Sequence, residues 1–224
     1  MFNGIIRHQG RISRIDLPRG KMEIFAPVLI RQLHPGDSIA VDGVCLTVTR
    51  CGHGRFSVDV TPETVRRTAF RWKAPGAAVN LELPMRMNDR IHGHLVLGHV
   101  DGVGVVTLSG FKNSRIIHSK TRRPTRGVHL YLYVPTRLVK FLAEKGSWAV
   151  NGVSLTISAL RGRLSGSALI PETLQRTNLG RLKPGDRVNI EVDVLARYAY
   201  RYARYRRTRE ESWKNKFIRA SKRR

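Results

Sequence analysis

The sequence predicts an all-β protein made of two tandem antiparallel barrels followed by a C-terminal α-helix. Three observations predict it. The chain repeats itself at a spacing of 109 residues, each repeat is cut into short alternating runs by glycine turns, and the last segment changes to a helical period. Against that spacing GDSIAVDGVCLTVT (36–49) lies over KGSWAVNGVSLTIS (145–158), and TPETVRRT (61–68) over IPETLQRT (170–177). PGAAVNLEL (75–83) lies over PGDRVNIEV (184–192) without a gap. Across 36–83 and 145–192, 17 of 48 positions are identical, where unrelated chains of average composition share roughly three.

Each element follows from local chemistry. IAVDGVCLTV, RFSVDV and AVNLEL in the first copy, and HLYLYV, WAVNGVSLTI and RVNIEV in the second, alternate as strands do. Pro-Gly, Asp-Gly and Asn-Gly turns bound them. Several short strands at even spacing predict closed or nearly closed barrels. PETVRRT and PETLQRT predict short helical turns, with Pro in the first turn and Glu near the N-terminal end. The starts of the copies, FNGII (2–6) and HVDGVGVV (99–106), are offset by nearer 97, so the second copy carries about a dozen extra residues. GFKNSRIIHSKTRRPTRG (110–127), with six basic residues and no acid, reads as an exposed hairpin extension. Residues 193–217 predict a helix, with Leu195, Tyr198, Tyr202 and Tyr205 forming one stripe that is expected to pack against something. Residues 212–224 are expected to be exposed and partly disordered. The expected units are 1–97, 98–193 and 194–224.

Composition narrows the function classes. Hydrophobic residues make up 41% of the chain, enough for a packed core. No apolar run reaches the ~20 residues of a membrane span, and the N-terminus lacks a secretory pattern, so a cytoplasmic location is expected. Two cysteines, Cys45 and Cys51, without a Cys-x-x-Cys, argue against a disulfide framework or structural zinc. His92, His94 and His99 cluster in sequence, but no nearby carboxylate or cysteine completes a metal set, so none is expected. The net charge is +25, and residues 197–224 hold 12 Lys/Arg against 2 Asp/Glu. Such a tail is either a solvated helix or a candidate contact for RNA or another polyanion.

The motifs MFNGII, GDSIAVDGVCLTVT, DVTPETVRRT, GHLVLGHVDG, KGSWAVNGVSLTI, LIPETLQRTNL and VNIEVDVLARY together resemble the riboflavin synthase family over about residues 1–200. The resemblance implies two six-stranded Greek-key barrels, a transferase and a homotrimer. It implies dismutation of two 6,7-dimethyl-8-ribityllumazine molecules to riboflavin and 5-amino-6-ribitylamino-pyrimidinedione, the last step of riboflavin biosynthesis, with no metal or redox cofactor. One lumazine would sit on each barrel, the reacting pair meeting across a subunit boundary. A lumazine synthase shell is a candidate partner.

By the same resemblance Cys45 and Ser154 are the duplicated catalytic positions, with His99, Lys145 and Ser38 nearby. Thr47 and Thr156 would hydrogen-bond the pterin edge, and Glu63, Thr64, Glu172 and Thr173 would meet the ribityl chains. Leu46, Asp59, Val60, Thr61 and Pro62 in one copy, and Leu155, Ala168, Leu169, Ile170 and Pro171 in the other, complete the expected substrate contacts. Gly4, Ile5 and Ile6 would line the first pocket, and Gly98, His99 and Val100 the second. Asn3, His92, Asn151 and the weakly β-forming LSGSAL before the second PET turn depart from the family's pattern, so the second site is expected to be the eroded one. Three functions are therefore open: the active enzyme, a scaffold recruited to RNA or a ribosome-like particle by its basic tail, and a non-catalytic chromophore carrier.

Overall fold

The structure is a computed structural model that describes residues 1–107, 112–117 and 124–221, with side chains for 1–107 and 128–209. Its first unit contains strands β1 (His8–Asp16), β2 (Lys21–Phe25), β3 (Ser38–Val41), β4 (Val44–Gly52), β5 (Arg55–Asp59) and β6 (Ala78–Glu82). They close into an antiparallel barrel in the order β1-β2-β5-β4-β3-β6. Helix α1 (Pro62–Arg67) links β5 to β6.

The second unit repeats that circuit with β7 (Gly102–Val106), β8 (Lys112–Ile117), β9 (Pro124–Tyr133), β10 (Ser147–Val150), β11 (Val153–Thr156), β12 (Ala159–Arg161), β13 (Leu164–Leu169) and β14 (Arg187–Val192). Helices α2 (Thr136–Val139) and α3 (Pro171–Arg176) lie between strands. The sheet order is β11-β10-β14-β7-β9-β13-β12. β11 and β12, at the two ends of this curled sheet, correspond to the two halves of β4, interrupted at Ile157 and Ser158. β8 pairs only with β9, as the inserted hairpin predicted from 110–127. Its tip and the exposure of its side chains lie outside the described residues.

Each barrel is filled mainly by apolar side chains of its own strands. Ile12, Ile24, Ile39, Leu46, Phe56 and Val58 pack in the first, and Leu130, Leu132, Trp148, Leu155, Ile157 and Ile190 in the second. The weak strand LSGSAL packs small side chains beside a large one. Trp148 stands where the first copy has Ile39, and Ser165 stands where it has Phe56, so bulk is exchanged across the core. The Trp148 indole donates to Ser167 Oγ at 2.9 Å, and Gly166 leaves room for the Tyr131 ring.

The copies meet through their tight turns. Asp42 and Gly43 (φ 46° and 75°) and Asn151 and Gly152 (φ 45° and 76°) form two-residue hairpin turns that both need left-handed backbone. They pack back to back, and a Cβ on Gly43 would lie 2.6 Å from the backbone of Gly152. Around them the repeat is literal. Asn80 Nδ2 donates to the carbonyl of Asn151 (2.9 Å), and Asn189 Nδ2 to that of Asp42 (2.8 Å). Asn80 Oδ1 accepts from the amide of Asn178, and Asn189 Oδ1 from that of Ala69. Asp42 is the one charge in this buried set, paired with Lys73 at 2.9 Å. Leu182 takes the place of Lys73 in the second copy, so Asn151 is the residue that leaves no unpaired carboxylate there.

Helix α4 (Val194–Ser221) continues through the segment expected to be disordered. It docks by Tyr200, whose ring meets Phe141 edge-on at 5.1 Å, and by Arg197, paired with Asp101 at 2.8 Å. Within the chain the predicted stripe is uncovered: Leu195, Tyr198, Tyr202 and Tyr205 are all more than half exposed. No helix among the described residues is long and apolar enough to cross a membrane.

Candidate active site

In β4 the buried residues Val44, Leu46 and Val48 point into the barrel, so Cys45 and Thr47 face outward; in β11 Val153 and Leu155 point in, and Ser154 and Thr156 out. Cys45 and Ser154 are half-buried because a peptide arm lies over each. The arm 96–100, which leads into β7, brings the Gly98 carbonyl to the amide of Cys45 (3.0 Å). The arm 2–6, which leads into β1, brings the Gly4 carbonyl to the amide of Ser154 (2.8 Å). Both glycines have positive φ, and a Cβ on either would fall within 2.6 Å of the Cβ of Cys45 or Ser154. Only glycine permits this approach.

This corrects the expected grouping. Gly4, Ile5 and Ile6 belong with Ser154 of the second copy, and Gly98, His99 and Val100 with Cys45 of the first. The cores agree: Ile6 is buried in the second barrel's cluster, and Val100 packs against the first's. The arms pair with each other where they cross, Phe2 with Val96, through two backbone hydrogen bonds of 2.7 and 3.1 Å.

Each arm is pinned by a glutamate of its own barrel. Glu82 accepts from the amides of Asn3 and Gly4, and Glu191 from those of Leu97, Gly98 and His99. Burial pushes the Glu82 carboxyl up to about 7 and raises that of Glu191, against the pull of those same amides. Neither glutamate was among the residues expected at the site, although a Glu kept at the same place in both copies is the signal that could have found them.

The second missed residue is His94. Its Nδ1 lies 2.7 Å from Ser154 Oγ, its Nε2 has no partner among the described residues, and burial holds its pKa below the ordinary 6.5. The segment carrying it is tied down by Asn3, whose Oδ1 accepts from the amides of His92 and Gly93 (2.9 and 2.8 Å) and whose Nδ2 donates to the Arg90 carbonyl. The departure at position 3 thus forms a clamp over Ser154, which takes only the backbone amide of His92 and leaves its ring unexplained.

The remaining expected residues are more dispersed. Ser38 is half-buried on β3, opposite Thr47. Lys145 is exposed in left-handed backbone, its amide bonded to the Ile157 carbonyl. The His99 ring is exposed. Val60 and Leu169 are buried, whereas Asp59, Thr61, Pro62, Glu63, Ala168, Ile170, Pro171 and Glu172 are exposed and Thr64 and Thr173 half-buried. Asp59 pairs with Lys21, and Glu63 with Arg66 and Arg67. Thr61 caps α1 by accepting from the amide of Thr64, but Ile170 at the same place in α3 supplies no cap.

Two barrels, with two outward clefts each roofed by a glycine arm, define a protein of duplicated ligand-binding barrels. The chain belongs to the family described as the lumazine binding domain, whose model matches residues 3–84 and 97–193. Among characterised proteins it is 39% identical to the riboflavin synthase of Photobacterium phosphoreum over 204 residues, 90% of this chain and 88% of that one. It is 38% identical to the riboflavin synthase of Bacillus subtilis (strain 168) over 204 residues, 90% and 89% of the two chains. Among solved structures the fold is similar to that of LumP complexed with 6,7-dimethyl-8-(1'-D-ribityl) lumazine (TM-score 0.72, 24% identity, 86% of this chain and 99% of that one). It is also similar to LumP complexed with riboflavin (TM-score 0.74, 24% identity, with the same coverage).

Proposed function

We propose that the chain is a riboflavin synthase, a transferase that converts two molecules of 6,7-dimethyl-8-ribityllumazine to riboflavin and 5-amino-6-ribitylamino-pyrimidinedione. One molecule donates a four-carbon unit to the other, and the atoms of the two substrates are all recovered in the two products, so no external oxidant is needed. The observation that carries this reading is the pair of equivalent clefts, each with a small nucleophile, Cys45 or Ser154, beside the backbone of a crossing arm. Two heterocycles laid against such clefts can be stacked face to face, and positioning of that kind supplies several kcal/mol of a barrier.

The two clefts divide the chemistry. A neutral His94 can take the Ser154 hydroxyl proton through Nδ1 as the oxygen adds to an electrophilic ring carbon, or do the same for a water held there. Cys45, with His99 on the adjoining arm, serves the partner molecule. Thr47, Thr156 and the exposed rims of α1 and α3 face the pterin edge and the ribityl chain. Pairing of one chain's first cleft with a neighbour's second requires an oligomer, which by resemblance to the family is a homotrimer, and the uncovered Leu195, Tyr198, Tyr202 and Tyr205 offer a seam for it. A cytoplasmic location goes with this reading.

A second reading, recruitment of the same scaffold to nucleic acid, is favoured by α4, where Tyr198, Tyr202 and Tyr205 alternate with exposed Arg201, Arg204 and Arg209. Incubation with purified ribityl-lumazine tests the first. Riboflavin fluorescence that disappears in Ser154→Ala and falls in Cys45→Ser is the expected result, and its absence from the unaltered protein would refute the assignment. Retention of an RNA oligonucleotide that weakens steeply with salt would establish the second.

A further inference from the structure

A cavity of about 520 Å³ lies beside the second cleft, on the first-barrel side of the arm 2–6. Its walls include Arg7 and His8 from the start of the first barrel, Glu82 from β6, and Arg86, Arg90 and His92 from the connection between the barrels. No residue of the second barrel lines it, but Asn3 and Ile5 of the arm over Ser154 and His92 of the tied segment do, so it adjoins the Ser154 cleft from the first-barrel side.

The charges in this cavity are unequally engaged. Glu82 spends its carboxylate oxygens on the amides of Asn3 and Gly4, and Asp89, also in the wall, accepts from the backbone amide of Arg86 at 2.8 Å. The side chains of Arg7, Arg86 and Arg90 form no hydrogen bond or ion pair with any described residue. Three unengaged guanidinium groups around one concavity, with both nearby acids turned towards backbone, make a site for an anion with several acceptor oxygens. Its volume is that of an ordinary small-molecule site, which lies between about 300 and 1,000 Å³. Inorganic phosphate alone would leave most of it to water.

We propose that this cavity binds a phosphomonoester whose organic part fills the space that phosphate leaves. The site has a built-in connection to the second cleft. Arg86, Arg90 and His92 sit on the segment that Asn3 fastens through the amides of His92 and Gly93 and the carbonyl of Arg90. The next residue, His94, holds Ser154. An anion that draws Arg86 and Arg90 together therefore immobilises the segment that positions His94. The binding part of the proposal stands whether or not the chain forms riboflavin.

Calorimetric titration of the full-length protein with adenosine 5′-monophosphate, inorganic phosphate and adenosine tests it. The monophosphate is expected to bind once per chain, inorganic phosphate at least about tenfold more weakly, and adenosine not measurably. Arg86→Ala/Arg90→Ala, whose side chains are exposed, should weaken the monophosphate by about tenfold or more, whereas Arg204→Ala/Arg209→Ala on α4 should not. Hydrogen exchange at the Gly93 amide should slow when the monophosphate is bound. Equal binding by the Arg86/Arg90 variant would overturn the proposal, as would adenosine binding as tightly as the monophosphate. Inorganic phosphate as tight as the monophosphate would overturn the phosphomonoester class. Should the double variant melt early, Arg7→Ala provides the same comparison from the opposite wall.

Discussion

The proposed role of Ser154 as a nucleophile rests on a single neighbour, His94, whose Nδ1 lies 2.7 Å from its Oγ. His94 is buried enough for its pKa to lie below 6.5, so near neutral pH the ring is free to accept a proton. His94→Gln keeps a hydrogen-bonding group at that place but cannot take the proton, and it should lower kcat by about 100-fold while changing KM little. The acid limb of the unaltered protein's rate profile should fall below pH 6.5 and vanish in the variant. Stability follows the same sign: the neutral ring's contribution is present above 6.5 and is lost as pH falls through the lower folded value. Glu82 acts in the other direction. Its carboxyl is raised to about 7, so its contribution is full below the unfolded value of 4.5 and is lost as pH rises through about 7. Denaturant unfolding should therefore show the unaltered protein losing up to about 3 kcal/mol across that window relative to Glu82→Gln.

Among the elements, the turns and caps show where the two copies have parted. Thr61 caps α1, and Ile170 leaves α3 without a side-chain cap. Ile170→Thr should raise stability by about 1 kcal/mol, read from the denaturation midpoint. Gly43→Ala adds a methyl in left-handed backbone, 2.6 Å from the Gly152 nitrogen, and should cost about 3 kcal/mol or more. The strands themselves were legible because alternation and Asp-Gly or Asn-Gly turns are local signals: IAVDGVCLTV became the hairpin of β3 and β4, and WAVNGVSLTI that of β10 and β11. The core packing of LSGSAL was not legible because the compensation for its small buried residues, Trp148, lies on a different strand. His94 could not be ranked above His99 because it lies in the connection between copies, where the repeat offers no counterpart to compare.

In the molecule as a whole, the crossing of the arms was hidden for a related reason. The barrels repeat at 109 residues, but Gly4 and Gly98 are 94 apart, and nothing in that spacing says which barrel each arm touches. Sequence proximity suggested that each arm serves its own half, and the packing of Ile6 and Val100 shows the opposite. Beyond the barrels, α4 leaves Tyr198 and Tyr202 uncovered. The proposed homotrimer predicts three-chain mass for the unaltered protein in analytical ultracentrifugation and single chains, with the barrels still folded, for Tyr198→Glu/Tyr202→Glu.

The crossed arms also bear on how such a chain arose. A lone first half, cut near residue 97, keeps Cys45 but loses the strap that lies over it, while its own strap has nothing to cover. Two such halves can satisfy one another by a mutual domain swap. The fused chain has the geometry of a symmetric dimer whose subunits became linked, and whose once identical halves were then free to specialise.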